Sequence, residues 1–336
     1  MLRENQFLQF VARQFPRSPH QINAFLEGDA ELIRLDNGQV LAFTVDSIVE
    51  EIDSGLYADP YLIGWMTAVA SLSDLAAVGA QPIGLLLFQH FPPGLSNAFI
   101  EQLQQGVQAC CKATGVFVLG GDTNQADRLH VGAAAVGIIP DDPIVLRKGA
   151  EARDILYASY SMGQGSAFAF QRLFNGNGAD IPYQPKPRLQ EGRLVRKYGN
   201  CCIDTSDGFF PAICNLMEIN KLGVHLECTL EEILPPSTLR LAARTGIPPW
   251  FFLAGPHGEF ELLFSIPPER EAGFLAAARK VDWQPLRIGV FSEEGPALWS
   301  ATGCPIDAFR IANAFFEAAG NPRQFIDTLT QIPQSW

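Results

Sequence analysis

PYLIGWMTAVASLSDLAAVGAQPIGLLLFQHF, residues 60–91, is the stretch whose reading decides the fold. Pro60 suits a first helical turn, Ala and Leu dominate the next four turns, and Gly79 with Pro82 supplies a stop, so a helix is expected over about 60–78. GLLLFQHF (84–91) then reads as a strand. Upstream, VLAFTVDSIV (40–49) is β-rich and alternates, which predicts a strand ending near Asp46. Downstream, Ser96 caps and Gly115 stops a second helix, and VFVLGGDT and HVGAAAVGIIP come next as buried strands joined by a polar turn. Strand, helix, strand, helix, strand, strand suits an α+β or α/β layer.

Near Arg147-Lys148-Gly149 the pattern restarts. DILYASYS reads as a strand, SMGQGSAFAFQRLF as a Gly-rich turn entering a helix, and NGNGADIPYQPKPR as a polar, Pro-rich loop. A helix over 188–198, the segment CCIDTSDGFF, a helix from Phe209 to Lys221 and the strand GVHLEC come next. ELLFSIP, an alanine-rich helix near 270–280 and LRIGVF complete the pattern. The expected boundary is about residue 148, giving an N-terminal unit 1–148 and a C-terminal unit 149–336 with a C-terminal extension. Two units also agree with the length, because 336 residues exceed the size at which one core stops growing.

Composition narrows the function. Hydrophobic residues make up 47% and charged residues 18%, which excludes a disordered chain. Twenty-four Lys+Arg against 36 Asp+Glu leave a net charge of −12, and no basic cluster offers itself to a nucleic-acid backbone. A phosphorylated small molecule stays open, because acidic sites bind phosphate through divalent metals. The longest apolar run, Val131–Pro140, is about half of what a bilayer needs, so no membrane partner is expected. The start, MLRENQFLQFVARQF, reads as an amphipathic helix with mixed charge rather than a secretory leader, and seven cysteines without a CxxC read as free thiols. A cytoplasmic location is the expectation.

Six acidic residues stand at the ends of apolar strands or beside glycines. They are Asp29 in EGDA, Asp46 in FTVD, Asp74 in SLSD, Asp122 in GGDT, and Asp204 and Asp207 in IDTSDG. Singly, each reads equally as a structural group: Asp46 or Asp204 as a loop cap, Asp74 as the cap of the second half of a broken helix. Together they read as ligands, because converging carboxylates stay ionised only beside a cation, and hard oxygen donors suit Mg²⁺ bridging to nucleotide phosphates. Gly120 and Gly121 let the backbone approach a bound group. SMGQGSA reads either as a tight turn or as a set of N–H groups facing a phosphate. Arg147 reads equally as a fork for phosphate oxygens and as a solvated boundary charge. The histidines at 20, 90, 130, 225 and 257 have no paired spacing, and there is no GxSxG elbow.

SLSDLAAVGAQP (71–82), VLGGDT (118–123) and IDTSDG (203–208) resemble the thiamine-monophosphate kinases, with FTVDSIVE, SMGQGSA and PKPRLQEG in matching order. That family belongs with the aminoimidazole-ribonucleotide synthetase, selenophosphate synthetase and hydrogenase-maturation enzymes. The resemblance spans roughly residues 25–265. It implies a two-domain α+β fold whose N-terminal domain forms a β-barrel-like interface with its copy in a homodimer. It also implies transfer of the γ-phosphate of ATP to thiamine monophosphate. By position, Asp29, Thr44, Asp46, Asp74, Asp122, Asp204 and Asp207 would hold Mg²⁺, and Gly121, with Gly120 beside it, Arg147 and Ser206 would contact ATP.

One departure falls at the metal and the others on the acceptor side. The family's Gly-Asp-Asp reads Gly28-Asp29-Ala30, which removes one metal-binding carboxylate, and Asp53 stands where the family has a substrate-contacting histidine. Its Gly-Gly-Glu-Asp-Tyr-Glu-Leu reads Pro256-His257-Gly258-Glu259-Phe260-Glu261-Leu262, which puts glycine at the substrate-side glutamate and leaves Glu259 as a neighbouring candidate. A late aromatic falls on Ile306. The leading expectation is therefore an ATP- and Mg²⁺-dependent phosphotransferase acting on a small-molecule acceptor. Two others stand beside it: a superfamily enzyme that activates a carbonyl or amide with ATP, and an inactive nucleotide-binding regulatory relative.

Overall fold

The computed structural model describes residues 2–140, 143–174, 181–318 and 321–332. The first six residues of the loop expected over 175–188 lie outside them. The first part of the chain contains α1 (Arg3–Ala12), β1 (Glu31–Arg34), β2 (Val40–Ser47), α2 (Val49–Asp53), α3 (Pro60–Ala77), β3 (Gln81–Phe91), α4 (Asn97–Thr114), β4 (Val118–Gln125) and β5 (His130–Ile139). Its five strands form one sheet in the order β1-β2-β5-β3-β4. All neighbours are antiparallel except the β3–β4 pair at one edge.

The second part contains β6 (Ile155–Ala158), α5 (Gln164–Phe174), α6 (Leu189–Tyr198), β7 (Cys201–Asp204), α7 (Phe209–Asn220), β8 (Gly223–Leu226), α8 (Leu230–Ile233), α9 (Pro236–Thr245), α10 (Phe251–Ala254) and β9 (Leu262–Ile266). It continues with α11 (Pro268–Lys280), β10 (Leu286–Ser292), β11 (Leu298–Trp299), β12 (Pro305–Ile306), α12 (Ala308–Glu317) and α13 (Pro322–Thr330). Seven strands make its sheet, ordered β12-β11-β8-β10-β6-β9-β7. Helices and sheets are mixed in both parts, an α+β architecture, and neither sheet closes on itself.

The helix α3 joins the two parts. Asp59 caps it by accepting from the Leu62 N–H at 3.1 Å, and Pro60 occupies its first turn. It is buried almost all round because it packs on α4 and β5 of its own part and on α6 and β7 of the other. Glycine allows the closest of these contacts: a Cβ at Gly64 would sit 1.8 Å from the Leu103 carbonyl, and one at Gly106 2.0 Å from that of Tyr61.

Two expectations need correction. VLGGDT lies in β4, which is an exposed edge strand and not a buried one. A strand that pairs on one side only, opposite an uncovered face, buries neither surface. Asp74 caps no broken helix; α3 runs unbroken past it. Short elements such as β1, α2, α8 and α10 escape the pattern, because brief runs show no period that distinguishes them from loops, and the helices α9, α12 and α13 escape it as well.

Candidate active site

Four segments bring carboxylates together where the two parts meet. Asp29 comes from the loop before β1, Asp46 from the end of β2, Asp74 from the interior of α3 and Asp204 from the end of β7. One oxygen each of Asp29, Asp74 and Asp204 lies within 4.8 Å of the others. Hydroxyls hold the set in place. Thr44 Oγ1 donates to Asp74 Oδ2, Ser73 Oγ to Asp204 Oδ2 at 2.7 Å, and Ser206 Oγ to Asp204 Oδ1 at 2.9 Å. Arg147 Nη2 donates to Asp29 Oδ1 at 2.9 Å, and that carboxylate's side chain is only 1% exposed.

Crowding shows in the proton affinities. Loss of water, then the charges of Asp46, Asp204 and Asp29, push Asp74 well above the ordinary carboxylate range. Burial and Asp29 raise Asp204 to about 7, although Ser73, Ser206 and Arg147 favour its ionised form. Asp46 is raised chiefly by burial, against the hydrogen bonds of Asp74, Ser71 and Thr44. Among the described residues, Asp29 Oδ2 and Asp46 Oδ2 are buried and find no hydrogen-bond partner. Buried, unpartnered carboxylate oxygens facing other carboxylates are costly, and a hard divalent cation is the group that satisfies them.

The remaining sequence candidates distribute unevenly. Asp207 is exposed, yet protein surrounds it on enough sides that loss of bulk water, Glu4 on α1 and Asp204 push it up to about 8. Arg147 is no solvated boundary charge: it is mostly buried, ion-paired with Asp29, and held by the acids above its ordinary range. Asp122 lies outside the group that meets within 4.8 Å. It stands exposed on β4, accepting from Asn124 Nδ2 at 2.6 Å. Gly120 and Gly121 are also on β4, where a Cβ at Gly121 would come 1.9 Å from the Leu87 carbonyl, so pairing with β3 already demands glycine there. Asp53, at the end of α2, forms an ion pair with Arg128 at 2.6 Å.

Glu259 has a different task from any the sequence suggested. Its buried carboxylate accepts from the Gly165 N–H at 2.7 Å, with the N–H groups of Gly163 and Ser166 also directed at it. The turn that reads as a phosphate cradle therefore already carries an internal acid as its anion. Burial pushes Glu259 up to about 8 in spite of those donors. Beside it, Glu261 is bound by Arg188 through Nε and Nη2 and by Ser159. Sequence reasoning missed Ser71, Ser73, Glu4 and the Arg188–Glu261 pair; only their nearness to Asp74 or to the PKPR segment pointed to any of them.

Two of the departures from the family pattern sit in tight packing. Ala30 is 1% exposed and packs in the core where the family has a second acid. At Gly258 a Cβ would lie 1.6 Å from the Thr205 carbonyl, so this backbone admits no glutamate there.

Residues 27–139 match the family model described as AIR synthase related protein, N-terminal domain. The thiamine-monophosphate kinase of Methanospirillum hungatei is 28% identical over 249 residues, 72% of this chain and 80% of that one. The solved structure of AaThiL complexed with AMPPCP and TMP superposes with a TM-score of 0.72 at 18% identity, covering 90% of this chain and 94% of that one. The hydrogenase maturation protein HypE in complex with ATP superposes with a TM-score of 0.67 at 20% identity, covering 82% and 86%.

Proposed function

We propose that this chain, a divergent relative of the thiamine-monophosphate kinases, is an ATP-dependent phosphotransferase that uses Mg²⁺ and acts on a small-molecule acceptor. The observation that carries the reading is the meeting of Asp29, Asp74 and Asp204, with Asp46 beside them, around carboxylate oxygens that the protein leaves unpartnered. Such a donor set fits a hard divalent cation and suits no cluster of softer ligands. Mg²⁺, when bound, neutralises the charge on the transferring phosphoryl group.

The chain's own residues position the reactants. Thr44, Ser73 and Ser206 fix the rotamers of Asp74 and Asp204, so these carboxylates face one centre without reorganising. Arg147 holds Asp29 and has an Nε with no partner, a donor left for a phosphate oxygen. Phosphoryl transfer is mostly positioning and charge neutralisation, so no strong base is required. His257, the nearest to the acceptor-side segment, is kept neutral by burial, its value lowered to about 3.

The acceptor is the part that differs. Asp53, Gly258 and Ile306 depart from the thiamine pattern, which favours a second acceptor chemistry, activation of a carbonyl or amide oxygen by ATP, while Ala30 removes one metal-binding carboxylate. The likeness to HypE supports the same alternative at the level of fold alone. We also read the chain as two domains divided near residue 148. A homodimer through the first sheet is supported by its uncovered apolar face, and the cytoplasm by seven cysteines that are all free.

Calorimetric titration with Mg²⁺ and AMPPCP tests the reading. Saturable binding that EDTA abolishes, and that Asp204→Asn weakens at least about tenfold, is expected. No binding at millimolar nucleotide would overturn it.

A further inference from the structure

An apolar cavity of about 130 Å³ lies between α5, α10, α12 and α13, with Leu56 and Pro256-His257 completing its wall. Its lining is phenylalanine, leucine and isoleucine in the main, including Phe170, Phe252, Phe315 and Phe325. Among the described residues, no carboxylate, lysine or arginine lines it. The two polar side chains at the wall are engaged elsewhere. Ser166 Oγ donates to the His257 carbonyl at 3.1 Å, and His257 Nε2 pairs with the Tyr57 hydroxyl at 3.2 Å.

Its position connects it with the proposed chemistry. Leu56 lies three residues after Asp53, His257 directly precedes Gly258, and α12 starts two residues after Ile306. Three of the altered acceptor-side positions thus border segments that build the cavity. The wall segment also touches the acidic centre: the Gly258 N–H donates to the Ser206 carbonyl at 2.9 Å, and Gly255 abuts Gly208, next to Asp207.

We infer that this cavity receives the body of the acceptor, and that this body is uncharged, apolar and no larger than a single ring. The inference rests on the phosphotransferase reading. Size is the first argument, because an apolar cavity of roughly 150 Å³ in a protein core takes up one benzene. Thiamine has two rings, one a cation and the other bearing an amino group and ring nitrogens. Cation–π attraction to the phenylalanines offsets only part of the lost hydration, and the aminopyrimidine finds no free partner at this wall. A phenyl or short branched alkyl group loses nothing polar on entry and gains the burial of its whole surface.

Fluorine NMR with 4-fluorophenyl phosphate, run with and without Mg²⁺ and AMPPCP, tests this. Wild-type protein is expected to bind the probe saturably, and equimolar thiamine monophosphate to leave it bound. Ala169→Leu, which places extra carbons in the cavity, should weaken the probe at least tenfold while AMPPCP affinity stays unchanged. Leu329→Phe, on α13, checks the same point should the first variant not fold. Displacement by thiamine monophosphate, absence of probe binding beside normal nucleotide binding, or binding indifferent to both variants overturns the inference. Loss of nucleotide binding in wild-type protein would instead sink the phosphotransferase reading, and probe binding sensitive to Ala169→Leu would then leave the cavity as a ligand site of its own.

Discussion

Asp74 is an aspartate inside a continuous helix, facing three other carboxylates, and this arrangement weakens the metal-free protein. Burial and repulsion raise Asp74, Asp204 and Asp207 above their unfolded values, with Asp204 at about 7 and Asp207 at about 8. A raised acid binds more protons folded than unfolded, so its contribution is present at low pH and is lost as pH rises through the folded value. His257, lowered to about 3 from 6.5, acts in the opposite sense but has exerted its whole effect by pH 6.5. The EDTA-treated protein is therefore expected to lose thermal stability between about pH 6.5 and 8, and excess Mg²⁺ to reverse the trend, because the cation binds the ionised acids and displaces protons. Calorimetry in buffers of different ionisation enthalpy should record proton release on Mg²⁺ binding near pH 7. A flat stability profile without metal would show that the acids are not crowded. Asp74→Asn removes one repelling charge. It should leave the metal-free protein equally stable, or up to about 1–2 kcal/mol more stable, at pH 8, while abolishing stabilisation by Mg²⁺ in thermal unfolding. A variant still stabilised by Mg²⁺ as the wild type is would remove Asp74 from the ligand set.

Elements carry the next level. The turn before α5 has three N–H groups directed at one buried acid, Glu259, and no residue near Gly163 and Gly165 in sequence announces that partner. Because Glu259 is raised to about 8, it is mostly protonated at neutral pH and receives those bonds as a neutral carboxyl group. Glu259→Gln should therefore cost less than about 1 kcal/mol at pH 7, whereas Glu259→Ala orphans buried donors and should cost about 1–3 kcal/mol in urea unfolding. Equal losses in the two variants would assign the effect to packing alone. The contrast between this turn and α3 shows what the sequence could disclose. Pro60, Gly79 and Pro82 are local punctuation, so α3 was legible to within a residue. The exposure of β4 and the partner of the Gly-rich turn are decided by contacts across about 95 residues or by the absence of a neighbour, and neither leaves a period in the chain. The acidic centre lies between these cases. Each aspartate was visible beside its strand or glycine, but the hydroxyls of Ser71 and Ser73 gain their meaning only once β5 and β7 lie against α3.

At the scale of the whole molecule, the first sheet is finished on one face only. Its inner face packs on α3, while Val45, Ala134 and Leu86 form a cross-strand row on the outer face, with Val45 and Leu86 exposed. At the edge, β4 leaves one side unpaired among the described residues, with Phe117 just before it 72% exposed and Leu119 within it 55% exposed. An open strand edge next to an apolar face is a liability that proteins cover, most simply with a second copy of the same surface. Asp122, Gly120 and Gly121 lie on this same strand, away from the group of Asp29, Asp74 and Asp204. If two copies meet there, Asp122 enters a buried interface and its surroundings change, which makes its role depend on assembly. Light scattering should therefore give a dimer for the wild-type chain, and Leu119→Lys, which sets a charge on that face, should give monomers that remain folded by circular dichroism. The same variant decides how the site is built. Loss of Mg²⁺–AMPPCP binding together with the dimer would mean that the strand carrying Asp122 completes the nucleotide site only when covered. Full nucleotide affinity in the monomer would confine the site to the four carboxylates of a single chain, and a monomeric wild type would leave the apolar face to some other partner.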